Sequence, residues 1–195
     1  MLNPVPLRVT TATEIAVPMA GTSLVLRHPR WADYEDWADV RRRDADYLRP
    51  WEPDWVDGHL SRASYRNRLS RFKKLVSADR AYPFHIIRSD TGEFVGAANL
   101  THVERAAAQS AKLGYWVAQS HSGRGYGRAA VGALTGFAFD TLALHRVEAA
   151  VQPENAASIR VLTANGYSFE GTARGLLRID GAWADHAIYG RLRGD

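Results

Sequence analysis

The 195 residues contain no cysteine. That absence removes disulfides, thiolate zinc sites and a cysteine nucleophile, and it fits a cytoplasmic chain. No apolar run approaches the ~20 residues that a membrane-spanning helix needs, and nothing resembles a signal peptide. Seven histidines are present without paired metal-ligand spacing, and no HExxH occurs, so no metal site is expected. A P-loop is missing too. It needs a lysine and then serine or threonine after its last glycine, whereas Gly127 is followed by Arg128-Ala129. Internal repeats and splitting linkers are also lacking, so one domain is the expectation.

What is present is ordinary globular composition, with 46% apolar and 24% charged residues and a net charge of +4. The positive excess is uneven. Arg62, Arg66, Arg68, Arg71, Lys73 and Lys74 interleave with Tyr65, Leu69 and Phe72. Two readings stay open: a solvated helix face, or a surface that attracts an acidic partner such as ribosomal RNA or an anionic substrate.

The pattern along the chain predicts a mixed α/β domain. Residues 1–21, with Pro4, Pro6, Pro18 and Gly21, read as an extended, mobile leader before a domain spanning 22–195. A strand is expected at 23–27, then a helix opened by Asp33 with acids early and Arg41-Arg42-Arg43 late. The prolines make 48–55 a tryptophan-rich loop. Ser61 caps a second helix with the stripe Tyr65, Leu69, Phe72, Val76. Strands follow at 84–88 and 93–102 around the turn Ser89–Gly92, and again at 112–118. After them come a helix over 129–142, a strand over 146–151, and a short helix that Gly166 ends. Strands at 167–170, 176–179 and 183–191, with a turn at Asp180-Gly181, complete the sheet.

Between the strand run Leu113-Gly114-Tyr115-Trp116-Val117 and the next helix lies Gly123-Arg124-Gly125-Tyr126-Gly127-Arg128. Alternating glycines let bare backbone N–H groups approach a ligand, and a helix N-terminus adds its dipole, which together make a phosphate site. Gly125 to Ala130 also satisfies G-x-G-x-x-A, with Glu148 at a ribose-binding distance downstream. Against a dinucleotide site, residues 119–122 separate the glycines from the strand, and three antiparallel-looking strands precede them. A tight connection that binds nothing is a further alternative.

This elbow resembles the pyrophosphate loop of the GNAT superfamily of acyl-CoA N-acyltransferases, and the chain from about Leu24 to Leu192 resembles its Rim-type ribosomal-protein N-acetyltransferases. The family pattern Gln/Arg-x-x-Gly-x-Gly/Ala falls on Ser122-Gly123-Arg124-Gly125-Tyr126-Gly127, with Ser122 replacing a long polar side chain. Also similar are Leu48-Arg49-Pro50-Trp51-Glu52-Pro53, the Leu113–Val117 run, His145-Arg146-Val147-Glu148-Ala149, Asn155-Ala156-Ala157-Ser158, Asn165-Gly166-Tyr167, and the tail Ile179–His186.

The resemblance implies a mostly antiparallel central sheet flanked by helices, and transfer of acetyl from acetyl-CoA to an amine by direct attack. It places the pyrophosphate on Ser122, Gly123, Arg124, Gly125, Tyr126, Gly127 and Arg128, the pantetheine along Trp116, Val117 and Ala118, and the Val117 N–H on the thioester oxygen. Asn155 would hold the pantetheine arm. Ser158 is expected to hydrogen-bond the departing thiolate, since Leu162 stands where many relatives carry tyrosine; its bland role is first-turn polarity. Trp51, Glu52 and Trp55 are candidate acceptor contacts, though the tryptophans equally suit a core that caps the sheet.

The usual positions for a base hold Lys112 and Leu177, which leaves Glu104 and Glu52 as candidates, each also readable as an exposed charge. An α-amine of pKa about 7.8 costs about 1.1 kcal/mol to deprotonate at pH 7, against about 4.6 kcal/mol for a lysine. A site without an obvious base therefore suits a protein N-terminus, here an alanine or serine of a ribosomal protein, with transient ribosome contact. A small-amine acetyltransferase and a catalytically weak acyl-CoA-binding partner of the ribosome are the alternatives. Monomer and dimer both remain open.

Overall fold

The computed structural model describes residues 9–195. Eight strands form one sheet: β1 (Glu14–Met19), β2 (Thr22–Arg27), β3 (Tyr82–Arg88), β4 (Phe94–Glu104), β5 (Ser110–Val117), β6 (Arg146–Val151), β7 (Ser168–Ile179) and β8 (Ala182–Leu192), in the order β1-β2-β3-β4-β5-β6-β8-β7. Every neighbouring pair is antiparallel except β5–β6. That exception creates the site. Pairing of β5 with β6 runs only from Ser110 opposite Arg146 to Leu113 opposite Ala149. Beyond it the two strands part while β5 stays paired with β4 up to Val117.

The helices are α1 (Tyr34–Arg43), α2 (Ala45–Leu48), α3 (Arg62–Ser77), α4 (Tyr126–Gly136) and α5 (Ala156–Thr163). The larger core joins β2–β6 and β8 to α4 and α5, with Phe84, Ile86, Leu100, Leu134 and Leu162 almost fully buried. A second core packs Tyr34, Trp37, Ala38 and Tyr65 of α1 and α3 on the opposite face of the sheet. Pure alternation along β5 divides its side chains. Leu113, Tyr115 and Val117 face the α4 side, and Trp116 faces the α1 side. Among the described residues no helix is long and apolar enough to cross a membrane.

Several expectations need correcting. The leader does not run to residue 21: Glu14–Met19 is an edge strand paired with β2, where Pro18 is tolerated because among the described residues no strand lies beyond it. Pro4 and Pro6 lie outside the described residues. The loop 48–55 is partly helical, because Arg49–Trp51 forms a 3-10 turn with Pro50 in its first turn, where a missing N–H costs nothing. α4 begins at Tyr126 rather than Ala129 and widens into a π turn over Phe137–Thr141. The strands expected at 167–170 and 176–179 are one long strand, β7. Register shifts near Gly171 and between Ala173 and Leu177 absorb the extra residues, and Gly175 takes φ +55° there.

Other expectations hold. Asp33 precedes α1, and Ser61 caps α3 by accepting the Ser64 N–H. Gly166, at φ +77°, ends α5 with two bonds, Gly166 N–H to Thr163 O and Tyr167 N–H to Leu162 O.

Candidate active site

The elbow is anchored at both ends before it reaches any ligand. Its upstream end is Ala118, fully buried, whose N–H donates to Val95 O at 2.8 Å. The following Gln119 N–H donates to the buried carboxylate of Asp44, at the α1–α2 junction, over 2.7 Å. Buried His121 places Nε2 3.1 Å from Glu93 and its ring 5.8 Å from that of Tyr126; burial lowers its affinity for a proton, against the pull of Glu93. Gly123 and Gly125 then adopt φ +74° and +79°, the left-handed region that other residues enter at a cost. Gly125 is the N-cap of α4 and supplies no side-chain cap. Among the described residues, the amides of Gly125, Tyr126, Gly127 and Arg128 find no acceptor. Four adjacent unpaired donors at a helix N-terminus are able to hold an anion. Arg124 is exposed beside it, as is Ser122, with Arg128 one turn along the helix.

β5 supplies the next row of polar groups. Its even-numbered residues bond to β4, and the Trp116 carbonyl lies so close to Gly96 that a Cβ there would sit 2.2 Å from the oxygen. Antiparallel alternation therefore turns the N–H and C=O of Tyr115 and Val117 toward β6, past the point where β6 has left.

On the far side of the gap, Asn155 caps α5 by accepting the Ser158 N–H on Oδ1 at 3.0 Å. Its Nδ2 has no partner among the described residues and is free to donate. Ser158 Oγ lies 3.0 Å from the phenol of Tyr115, whose ring packs against Gly127. Burial pushes that phenol up to about 12. Leu162 is buried in the core and takes no part.

The opposite face carries a different wall. Arg41 is buried and grips Glu52 through both terminal nitrogens, at 3.1 and 2.5 Å, while Trp55 Nε1 donates to the same carboxylate at 2.8 Å. The guanidinium also stacks 4.3 Å from the Trp55 ring and 5.2 Å from that of Trp116. Asp54 accepts the Gly181 N–H and pairs with Arg178, and Pro53 bridges to Ile179, so the loop is docked on the β7–β8 hairpin. Gln152, just past the end of β6, holds the Pro50 carbonyl at 2.6 Å.

The acetyltransferase (GNAT) domain family model matches residues 23–168 of this chain. The [ribosomal protein uS5]-alanine N-acetyltransferase of Escherichia coli (strain K12) is 30% identical over 158 residues, covering 80% of this chain and 81% of that protein. The chain belongs to the GNAT acetyltransferase family. Two solved structures of this fold agree. RimJ of Mycobacterium smegmatis, in complex with CoA-disulfide, superposes with a TM-score of 0.86 at 33% identity over 93% of this chain and 88% of that one. The ribosomal-protein-S5-alanine acetyltransferase of Vibrio fischeri gives 0.85 at 26% identity over 93% and 98%.

In this acetyltransferase the residues expected to hold the donor come together around the parted strands: Trp116, Val117, Ala118, Ser122 to Arg128, Asn155 and Ser158. The two expected bases do not stand as free carboxylates there. Glu104 pairs with Ser110 at the opposite end of β5 from Val117; seven residues of strand separate those ends by roughly 23 Å. Glu52 is neutralised by Arg41, and Asp54 by Arg178, so neither carries an unpaired charge to draw in an amine. Trp51 is half exposed at the rim, whereas Trp55 is packed on Arg41. The basic face of α3 is solvated, with Arg62 paired to Glu35 and Arg66 stacked on Trp31.

Sequence reasoning passed over Tyr115, Arg41, Asp44 and Gln152. Tyr115 stood in a recognised motif but read only as strand. For the other three, the partner lies 11 to 102 positions away, and no local signal marks it.

Proposed function

We propose that this acetyltransferase moves the acetyl group of acetyl-CoA to the α-amine of a protein N-terminus, an alanine or serine, on a ribosomal protein. The observation that carries the donor half is the row of four uncapped amides, Gly125 to Arg128, at the head of α4 beside the parted strands. These amides hold the diphosphate. The N–H and C=O groups of Tyr115 and Val117 bind the pantetheine as a strand would, and Asn155 donates its free Nδ2 to the same arm.

The Val117 N–H donates to the thioester oxygen as that oxygen gains charge. The new N–C bond forms as the C–S bond breaks, and the electron pair stays on sulfur, where the Ser158 hydroxyl donates a hydrogen bond. The proton lost from nitrogen passes to water.

The acceptor half rests on the paired state of Glu52 and Asp54 and the remoteness of Glu104. With Glu52 and Asp54 paired and Glu104 remote, none of these carboxylates stands free at the cleft, and an amine that sheds its proton for about 1 kcal/mol is favoured over a lysine. The uS5-alanine specificity carried in the name of the Escherichia coli relative points the same way. The exposed cations of α3 give the enzyme a surface for the RNA or acidic parts of a ribosomal particle.

The test is thiol release from acetyl-CoA with short peptides beginning in alanine or serine, beside polyamines and aminoglycosides. Turnover of the peptides alone is the expected result. Turnover of the polyamines instead overturns the acceptor, and no binding of acetyl-CoA by calorimetry overturns the donor.

A further inference from the structure

Ser158 lies in the first turn of α5, where a serine hydroxyl ordinarily folds back onto a backbone carbonyl. Here it does not. The only partner of Ser158 Oγ among the described residues is the Tyr115 hydroxyl, at 3.0 Å. That phenol reaches α5 from β5, across the line along which β5 and β6 separate, and its ring is fixed by Gly127 beneath it. The phenol that meets Ser158 thus comes from the sheet rather than from position 162 of the helix.

The direction of this bond matters. A phenol is a stronger donor and a weaker acceptor than an aliphatic alcohol. Burial keeps Tyr115 protonated far above neutral pH, so it always has a hydrogen to give. The Ser158 carbonyl also lies within reach of this phenol, but at 3.5 Å it is the more distant acceptor, against 3.0 Å for Oγ. With the phenol donating to Oγ, the orientation of that oxygen is settled, and the serine's own hydrogen is left for a third group. A hydroxyl that accepts one hydrogen bond also donates a stronger one.

We propose that Tyr115 is a positioning residue for the departing thiolate: its phenol donates to Ser158 Oγ and so directs the serine hydrogen at sulfur. The proposal rests on the acetyl-CoA reading above and deepens it. Tyr115 touches neither reacting atom; it acts only through Ser158, and its effect disappears when the serine hydroxyl does.

That dependence defines the experiment. Tyr115→Phe keeps the ring against Gly127 and removes only the oxygen. Single-turnover rates, KM for acetyl-CoA, CoA affinity and melting temperature are measured for the wild type, Tyr115→Phe, Ser158→Ala and the double variant. Residues acting as a unit lose activity non-additively, so we expect rates down about 5-fold, about 10-fold and again about 10-fold, with KM within about 2-fold throughout. An additive loss in the double variant, about 50-fold, overturns the proposal, as does an unchanged rate in Tyr115→Phe. So does a rise in KM together with a fall in melting temperature, which would make Tyr115 a packing residue. A wild-type enzyme that releases no thiol with any amine overturns the parent reading instead, and that outcome is visible before any variant is made.

Discussion

On the donor side of the cleft nearly every polar group is backbone. Amides of Gly125 to Arg128, the edge groups of Tyr115 and Val117, and three neutral side chains (Asn155, Ser158, Tyr115) line it. On the acceptor side the polar groups are charged side chains already spent on one another, with Arg41 locked to Glu52 among three tryptophans and Asp54 tied to Arg178. The contrast separates two ways of shaping a site. A backbone site depends on φ, so a few glycines govern it and side chains around it change freely. A side-chain wall depends on buried ion pairs, so it fails as a structure before it fails as a binding surface.

The largest effect expected from that contrast is on the acceptor wall. Arg41→Ala leaves Glu52 half-buried without its cation and removes a stack on Trp55 and Trp116. Breaking such a pair costs about 3 kcal/mol, to be read by chemical denaturation, while affinity for acetyl-CoA changes little. A large loss of acetyl-CoA affinity in a still-folded variant would erase the division between the walls.

Next in size is Gly125→Val on the donor wall. The space beside Gly125 is open enough, since an added Cβ would stand 3.7 Å from Met19 Cε. The backbone is what objects, because a β-branched residue at φ +79° carries a strain of about 2 kcal/mol. Calorimetry should show acetyl-CoA binding weakened at least ~10-fold, with each 1.4 kcal/mol counting tenfold. Here the contrast shows in affinity: acetyl-CoA binding falls along with stability, whereas Arg41→Ala lowers stability and leaves binding nearly unchanged.

Ser158→Ala comes third, with turnover down about 10-fold and acetyl-CoA affinity held, since one hydrogen bond to a charged atom is worth about 1.5 kcal/mol. Collapse of affinity would make Ser158 a binding or folding residue.

A smaller, graded effect concerns the support of α1. His85, fully enclosed, donates Nδ1–H to Asp33 at 2.9 Å, and Arg27 grips the same carboxylate. Burial lowers the His85 imidazole, and the Asp33 bond only partly offsets it. Burial also opposes the Asp33 charge, yet the bonds from His85 and Arg27 outweigh it and hold that carboxyl well below the usual range. A lowered folded-state value stabilises above the unfolded-state value and loses that stability as pH falls. Melting temperature should therefore decline from about pH 6.5 downward as unfolded histidine gains its proton, and again below about pH 4 as unfolded aspartate does. A flat profile between about pH 7.5 and about pH 5.5 would remove His85 from the account.

The smallest effect is expected at Glu104→Gln, which should leave kcat/KM within about 2-fold, since the residue stands at the wrong end of β5. A large loss there would mean that the reading of the cleft is wrong.

Much of the donor side was legible in the chain because it is local. The elbow, the strand before it and the cap Asn155-x-x-Ser158 are each contained within a few consecutive residues, so glycine spacing and cap chemistry announce them. The same locality misled where glycine and proline stand inside regular structure: β7 was split at its bulges, Pro50 hid a 3-10 turn, and Pro18 masked an edge strand. Glu104 and Glu52 were plausible bases only while their places in the sheet were unknown.

Most of the order of strands and helices from β2 onward, the glycine elbow and the family itself follow from the sequence alone, because hydrophobic periodicity, capping and backbone freedom act over short stretches of chain. Tertiary structure decided which carboxylates are already paired, where β5 and β6 part, and that the phenol meeting Ser158 comes from Tyr115. Those facts depend on residues 11 to 75 positions apart being brought within hydrogen-bonding distance, and no local pattern encodes such a meeting.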